Sequence, residues 1–350
     1  MSRNHHKKKS GRNYAAIIIT TILLLLVTGA IAVIAYLMTQ HRTISEAIGL
    51  DSSAPAAESA EVQPADTPDG NQAPAADGQT EEAQTEEEPA PEDIPEEERY
   101  YFPEGQLYSG DLILVNGDYP YHFEYGTNDI DLLTKEMADP VPMSSDKLRL
   151  SFHAASYLNT MLRDCNEALG VTNTGISEAF RTKEYQQNIW DEIEDAYGES
   201  YAESMVAIPG YSEHHTGLAV DLTIYRDGWE DTFSGSDNAA WLSENCYQYG
   251  FVRRYKEHKA DITKINNESW HFRYVGVPHA TYMEKKDLCL EEYIEELRQY
   301  TVSDPLVVQC ATAEYHIWYT DVPYIREPEG VFSVSGNNID GYIITEVMSG

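Results

Sequence analysis

The most informative part of this sequence, residues 212–221, reads Ser-Glu-His-His-Thr-Gly-Leu-Ala-Val-Asp. Its second half alternates as a β-strand does, which places Asp221 on one face and Val220 and Leu222 on the other. His214 comes earlier, in the loop that leads into the strand. The pattern predicts a strand with one core-facing side, an acid on its opposite side and a histidine at its entrance.

A second segment, residues 268–274, reads Glu-Ser-Trp-His-Phe-Arg-Tyr and also alternates. His271 and Arg273 share one face, and Trp270 and Phe272 share the other. We expect Trp270 to pack in the core. Arg273 either supports His271 or is a surface cation.

Two histidines and one carboxylate are a standard three-ligand set for catalytic zinc, with the fourth position left for water. Zinc lowers the pKa of that water towards neutrality, and a nearby carboxylate that is not a ligand can take its proton. Glu268, three residues before His271, is suited to that second role. The step from His214 to Asp221 is not that of a helical pair, so the spacing alone does not specify a metal.

A third segment, residues 177–186, reads Ser-Glu-Ala-Phe-Arg-Thr-Lys-Glu-Tyr-Gln. Together the three segments resemble the VanY-type D-alanyl-D-alanine carboxypeptidases, zinc peptidases of the M15B family. The first two match Ser-x-His-x-x-Gly-x-Ala-x-Asp and Glu-x-Trp-His. The third is similar to Ser-Gly-Tyr-Arg-Ser/Thr, with Gln five positions beyond the Arg. It has Glu-Ala-Phe where the family has Gly-Tyr, so the loop before Arg181 is one residue different or shifted, and the role of Ser177 stays open. The resemblance spans about residues 106–300.

The resemblance implies roles for five residues. His214, Asp221 and His271 bind Zn²⁺. Glu268 is the general base and then the acid for the leaving amine. Arg181 polarises the scissile carbonyl or holds its developing oxyanion.

The resemblance also implies substrate contacts, in which Arg181 is joined by Gln186 and Ser212. His215 lies next to His214, but the family pattern assigns the metal ligand to the first histidine of the pair. We therefore expect His215 not to bind zinc.

The expected fold class is α+β: a small antiparallel sheet with flanking helices that carries the zinc site, the arrangement that the resemblance implies (LAS-type metallopeptidases). Apolar periodicity predicts helices from about 148 to 169, after Thr182, from 238 to 249 with Asp237 as its cap, and from 285 to 300. Ser144 or Ser145 is the expected cap of the first helix. Predicted strands cover 111–115, 217–224, 251–255, 270–275, 315–319, 331–334 and 342–347.

The N-terminal region predicts a membrane anchor. Residues 15–38 contain no charged side chain, and about 20 apolar residues are enough to cross a bilayer. Residues 1–14 are basic and form the expected cytoplasmic tail. A cleaved signal peptide is the alternative, with Ala30-Ile31-Ala32 as its cleavage site, but apolar sequence continues past that point. We favour the uncleaved anchor.

The net charge of −35 is unevenly distributed and argues against nucleic-acid binding, which needs a basic face. Residues 39–99, rich in Pro, Ala and Glu, form a predicted disordered acidic stalk. Residues 100–300 form the predicted zinc carboxypeptidase domain. Residues 301–350 form a predicted β-rich extension of this head, with a separate binding module as the alternative.

The expected function is therefore that of a zinc D-alanyl-D-alanine carboxypeptidase that trims peptidoglycan stem peptides. We expect it to be a monomer with a single membrane span, and to carry its catalytic head outside the cell. An LD-carboxypeptidase, a peptidoglycan endopeptidase and a non-catalytic wall-binding module are the alternatives. The sequence does not separate DD from LD specificity. Cys165, Cys246, Cys289 and Cys310 either form up to two disulfides or remain thiols.

Overall fold

The computed structural model of this chain describes residues 94–126, 129–137 and 141–348. The strands are β1 (Arg99–Tyr101), β2 (Ile130–Leu132), β3 (Arg149–Ser151), β4 (Thr174–Glu178), β5 (Ala219–Arg226), β6 (Trp229–Asp231), β7 (Phe251–Tyr255), β8 (Glu268–Tyr274), β9 (Leu306–Gln309), β10 (Glu314–Thr320), β11 (Tyr324–Arg326), β12 (Val331–Gly336) and β13 (Tyr342–Met348). The helices are α1 (Leu133–Glu136), α2 (Phe152–Leu169), α3 (Lys183–Tyr197), α4 (Glu199–Met205), α5 (Asp237–Asn245), α6 (Ala260–Thr263), α7 (Val277–Lys286) and α8 (Leu290–Leu297). The predicted α+β class is confirmed.

The central sheet is antiparallel and has the strand order β4-β5-β8-β7, with β6 paired to β5. In its middle, Val220 lies opposite Phe272 and Asp221 lies opposite His271. Val220 and Phe272 are fully buried in the main core cluster, and the partly buried Trp270 packs against it. The predicted division of both segments into a core face and a polar face is therefore confirmed.

Helix α2 covers the core face of the sheet. Its fully buried side chains, including Ala155, Leu158, Leu162 and Cys165, recur every three or four residues as predicted. Gly170 ends the helix in the left-handed conformation, with a φ of 65°.

The predicted start of α2 was wrong. Neither Ser144 nor Ser145 caps it, because residues 149–151 form strand β3, which pairs with β2 before the helix begins at Phe152.

Three further helices lie near their predicted positions, with differences at their ends. Thr182 caps α3 as expected, since its side chain accepts a hydrogen bond from the backbone N–H of Tyr185. Helix α5 is capped by Ser236 and not by Asp237. The helix predicted at about 285–300 is present as α8 but is shorter, at Leu290–Leu297. Its predicted start is wrong, because α7 continues to Lys286 and ends at Asp287, which has a φ of 52°.

The strand predicted at 111–115 is also wrong. The segment is apolar and buried from Leu112 to Val115, but within the described part of the chain it joins no sheet. The side chain of Arg273 donates hydrogen bonds to the backbone carbonyls of Asp111 and Ile113. The backbone N–H of Leu114 donates to the backbone carbonyl of Asn337. These partners satisfy the backbone groups that a strand would have paired in a ladder.

The C-terminal region forms a second antiparallel sheet of order β12-β13-β10-β9, and β11 pairs with β1. The strands predicted at 315–319, 331–334 and 342–347 are confirmed. Ile317 and Ile343 of this sheet share a core cluster with Tyr293 and Ile294 of α8 and with Leu112. The four cysteines are buried free thiols, so the disulfide alternative is not realised.

Among the described residues, no helix is long and apolar enough to span a membrane. The basic tail at 1–14, the proposed span at 15–38 and most of the proposed stalk at 39–99 lie outside the residues that the structure describes.

Candidate metal and catalytic site

His214, Asp221 and His271 come together in the structure. Each offers a ligand atom, and these atoms all lie within 4.8 Å of one another. The Nδ1 of His271 lies 2.9 Å from Asp221 Oδ1, and the Nε2 of His214 lies 3.4 Å from Asp221 Oδ2. All three residues are buried, so the predicted ligand set forms one compact cluster.

Local structure explains how His214 reaches the strands. It lies in a 3-10 turn at Glu213–Thr216 that Ser212 begins, with its side chain accepting from the backbone N–H of His214. Gly217 ends this turn with a φ of 70° and lies directly against Ile130, so a side chain at this position would be both strained and obstructed.

The second ring nitrogen of each histidine is already used. His214 Nδ1 lies 2.6 Å from the carbonyl oxygen of Ala179, to which it donates. His271 Nε2 lies 3.3 Å from Glu213 Oε2. These partners leave His214 Nε2 and His271 Nδ1, which both face Asp221, as the ring atoms that can bind a metal.

The charges of the cluster suit a divalent cation. Burial alone would raise the pKa of Asp221, but His214 and His271 outweigh it and hold this pKa well below its usual value. Burial lowers the pKa of His271, whereas Asp221 and Glu213 raise it, to about 9, so a metal that binds at Nδ1 displaces a proton. The donor set of one anionic carboxylate and two imidazoles matches the ligands that zinc prefers.

Glu268 lies beside the cluster at the start of β8. Its Oε2 is 3.7 Å from His271 Nδ1. Burial raises the pKa of Glu268 to about 7, although His271 partly counters the effect. A carboxylate with a pKa near neutrality is suited to accept and return a proton.

Arg181 lies at the edge of the same cluster. Its Nη2 is 3.2 Å from Asp221 Oδ2, its Nε donates to Glu178 and its Nη1 donates to Gln186. The guanidinium is therefore held at three points, with a positive charge next to the proposed ligands.

The two proposed substrate contacts, Gln186 and Ser212, are both buried. Gln186 accepts from Arg181 and donates to the carbonyl of Ala207, so both ends of its amide are occupied. Ser212 caps the turn that carries His214. The structure brings both residues to the site but places them in contact with protein groups.

His215 points away from the ligand atoms. Its Nδ1 lies 2.7 Å from the carbonyl of Arg181, and its Nε2 accepts from the backbone N–H of Gly210 at 3.0 Å. Burial lowers its pKa to about 4, which keeps the ring neutral. This histidine links two loops and has no nitrogen left for a metal.

A register shift lies just before Arg181 in the chain. Strand β4 pairs with β5 up to Ile176, and pairing resumes only at Glu178, so Ser177 forms a β-bulge. The hydroxyl of Ser177 donates to the carbonyl of Asp221. The bulge thus fixes the backbone of Asp221.

One residue of the site was not identified from the sequence. Glu213 occupies an unspecified position of the first motif, yet its side chain is fully buried and contacts His271, Arg254 and Arg273. Burial would raise its pKa, but the two arginines hold the pKa well below its usual range. Arg273 is therefore buried support for His271 and not a surface cation.

A groove of about 540 Å³ lies next to Glu178, which is an ion-pair partner of Arg181. Its lining includes Ser144, Lys147, Ser177, Glu178, Tyr185 and Glu230. Glu178 contacts Arg181 directly, but neither Arg181 nor the proposed metal ligands line the groove.

Comparison with known proteins agrees with this geometry. Residues 147–277 match the family model described as VanY, D-alanyl-D-alanine carboxypeptidase. A D-alanyl-D-alanine carboxypeptidase from Enterococcus faecium is 33% identical over 249 residues, which cover 69% of this chain and 77% of that protein.

Solved structures are similar as well. The vancomycin-resistance D,D-dipeptidase VanXYg, in complex with a D-Ala-D-Ala phosphinate analogue, gives a TM-score of 0.64 at 28% identity and covers 71% of this chain and 98% of its own. A vancomycin-resistance D,D-pentapeptidase VanY in complex with Zn(II) is 37% identical, with a TM-score of 0.42, and covers 53% of this chain and 98% of its own.

Proposed function

This chain belongs to the VanY family of D-alanyl-D-alanine carboxypeptidases and is a zinc-dependent enzyme, and from this premise we propose which residues perform its reaction and where. His214, Asp221 and His271 hold the zinc ion. Glu268 is the general base and acid, and Arg181 stabilises the developing oxyanion. The substrate is a peptidoglycan stem peptide that ends in D-Ala.

The observation that carries the proposal is the convergence of three buried ligand atoms with Glu268 beside them. A zinc ion bound by these three ligands would act as a Lewis acid and lower the pKa of water towards neutrality. Glu268 accepts a proton from the attacking water and passes one to the leaving amine as the C–N bond breaks. Its raised pKa supports both steps.

Arg181 supplies the positive charge that the carbonyl oxygen needs as it becomes negative. Its three protein contacts hold the guanidinium in place before substrate binds, so little reorganisation is needed during the reaction. Gln186 contributes to substrate binding by holding Arg181, and Ser212 by holding the turn that carries His214.

The location of the enzyme is part of the proposal. The uncharged segment at residues 15–38, preceded by basic residues, supports a single-pass anchor with a cytoplasmic N-terminus. The acidic segment at 39–99 would hold the head away from the membrane. The head would then act outside the cell, as a monomer, on cell-wall peptides.

The test is mass spectrometry of the products that the zinc-loaded protein forms from defined tri-, tetra- and pentapeptide stems. We expect the pentapeptide to lose its C-terminal D-Ala. Cleavage of only the tetrapeptide would identify an LD-carboxypeptidase, and internal cleavage an endopeptidase. No cleavage by a zinc-loaded protein would favour a wall-binding module.

A further inference from the structure

We propose that Glu213 is a positioning residue for the zinc ligand His271. It holds the imidazole of His271 so that the Nδ1 of this ring faces the metal. The inference deepens the proposed function, because it rests on the zinc site described there. It concerns the binding of the metal and not the cleavage of substrate, so the two can fail separately.

The two oxygens of Glu213 have separate partners. Oε1 accepts from Arg254 Nε at 2.8 Å and from Arg273 Nη1 at 3.0 Å. Oε2 is left for His271, whose Nε2 lies 3.3 Å away. One end of the carboxylate is therefore anchored while the other orients the imidazole.

The side chains of this arrangement are shielded from solvent. The side chains of Glu213, Arg254 and Arg273 have no exposed surface, and that of His271 is 4% exposed. Water cannot replace a lost partner there, and an unpaired buried charge would be costly. The carboxylate is thus fixed by the charges around it.

The arginines are themselves fixed by distant parts of the chain. Arg254 makes two hydrogen bonds to Glu291 at the start of α8, at 2.9 and 2.6 Å. Arg273 donates to the carbonyls of Asp111 and Ile113. Each arginine therefore keeps protein partners besides Glu213.

A ring held by its Nε2–H presents its Nδ1 lone pair to a metal, and a carboxylate that accepts from Nε2–H makes that lone pair more basic. The ring of Tyr255 packs beside that of His271, with 4.8 Å between the ring centres. Glu213 therefore fixes both the tautomer of His271 and the angle of its ring.

The experiment compares Glu213→Gln with Glu291→Gln. Each variant removes one carboxylate from Arg254, but only Glu213 contacts His271. Zinc affinity is measured by competition with a chromophoric chelator, and the geometry of the site by the visible absorption of the Co²⁺-substituted protein. Circular dichroism of the metal-free proteins reports the fold.

We expect Glu213→Gln to weaken zinc binding about 10–100-fold and to change the Co²⁺ spectrum. Glu291→Gln should keep the wild-type affinity and spectrum even where its stability falls. If Glu213→Gln does not fold, Glu213→Asp replaces it, because the shorter acid keeps the charge between the arginines but draws back from His271. A folded variant at position 213 with wild-type affinity and spectrum would overturn the proposal. A wild-type protein that binds zinc but cleaves no stem peptide would overturn only the proposed function.

Discussion

Asp221 and His271 lie directly opposite each other in the antiparallel pair formed by β5 and β8, and their side chains approach to 2.9 Å on the polar face of the sheet. Side chains directly opposite in such a pair are the closest neighbours that a sheet can provide. Strand register alone thus brings two of the three proposed ligands next to each other. The third, His214, arrives through the turn that leads into β5.

The first prediction separates the two adjacent histidines. His214→Ala should lose stoichiometric zinc, because it removes one of three ligand atoms. His215→Ala should retain zinc, since both ring nitrogens of His215 bond to backbone groups of other loops. Metal content after dialysis, measured by mass spectrometry, is the readout. The opposite outcome, with zinc lost only from His215→Ala, would show that the ligand has been assigned to the wrong residue.

Glu268 should be needed for turnover but not for zinc. Glu268→Gln keeps the size of the side chain and removes the proton acceptor, so kcat should fall by about 10²–10⁴ while zinc content stays at one per chain. Glu257→Gln is the matched control, because Glu257 is exposed and in no motif. Loss of zinc from Glu268→Gln would instead make Glu268 a ligand.

Arg181 should contribute through its shape as well as its charge. Arg181→Lys keeps the positive charge but cannot reach Glu178, Gln186 and Asp221 together. We expect kcat to fall about 10²–10³-fold with zinc retained. The control is Arg163→Lys, on the exposed face of α2. Turnover close to that of the control would exclude Arg181 from the reaction.

The topology can be tested on intact cells that produce the chain. External protease should cut within residues 51–98, which have almost no large apolar side chains, and release a soluble, active head. Without protease, the activity should sediment with membranes. Spontaneous release of a protein that starts near residue 33 would show that the apolar segment is a cleaved signal.

The sequence predicted the faces of the strands but not their pairing. Alternation placed Asp221 and His271 on polar faces, yet register depends on partners 50 residues apart, which periodicity does not specify. The strand predicted at 111–115 failed for a related reason. An apolar buried run has the same pattern whether a neighbouring strand or the side chain of Arg273 satisfies its backbone.

Glu213 shows a further limit of the sequence. It occupies an unspecified position of its motif, and its importance depends on arginines 41 and 60 residues further along the chain. A fully buried charge network of this kind has no local sequence signal. Only the folded chain brings these groups together.

The final prediction concerns stability and starts from His279 on α7. This buried histidine bonds to the hydroxyl of Tyr293 on α8 and to that of Thr345 on β13, so it connects two helices with the C-terminal sheet. Burial lowers its pKa to about 3. The ring is therefore neutral in the folded protein across the mildly acidic range.

Because the unfolded chain binds a proton at this histidine below about pH 6.5 and the folded chain does not, acid favours unfolding between about pH 6.5 and pH 3. From pH 7 to pH 5 this single group should cost about 2 kcal/mol of the free energy of unfolding. The amide of His279→Gln can still bond to both hydroxyls but does not titrate. Between pH 7 and pH 5 this variant should therefore lose about 2 kcal/mol less of its free energy of unfolding than the wild type does. The measurement is urea unfolding of the metal-free head, with His153→Gln, an exposed histidine on α2, as control. Equal losses in His279→Gln and the wild type would show that His279 is already protonated in the fold.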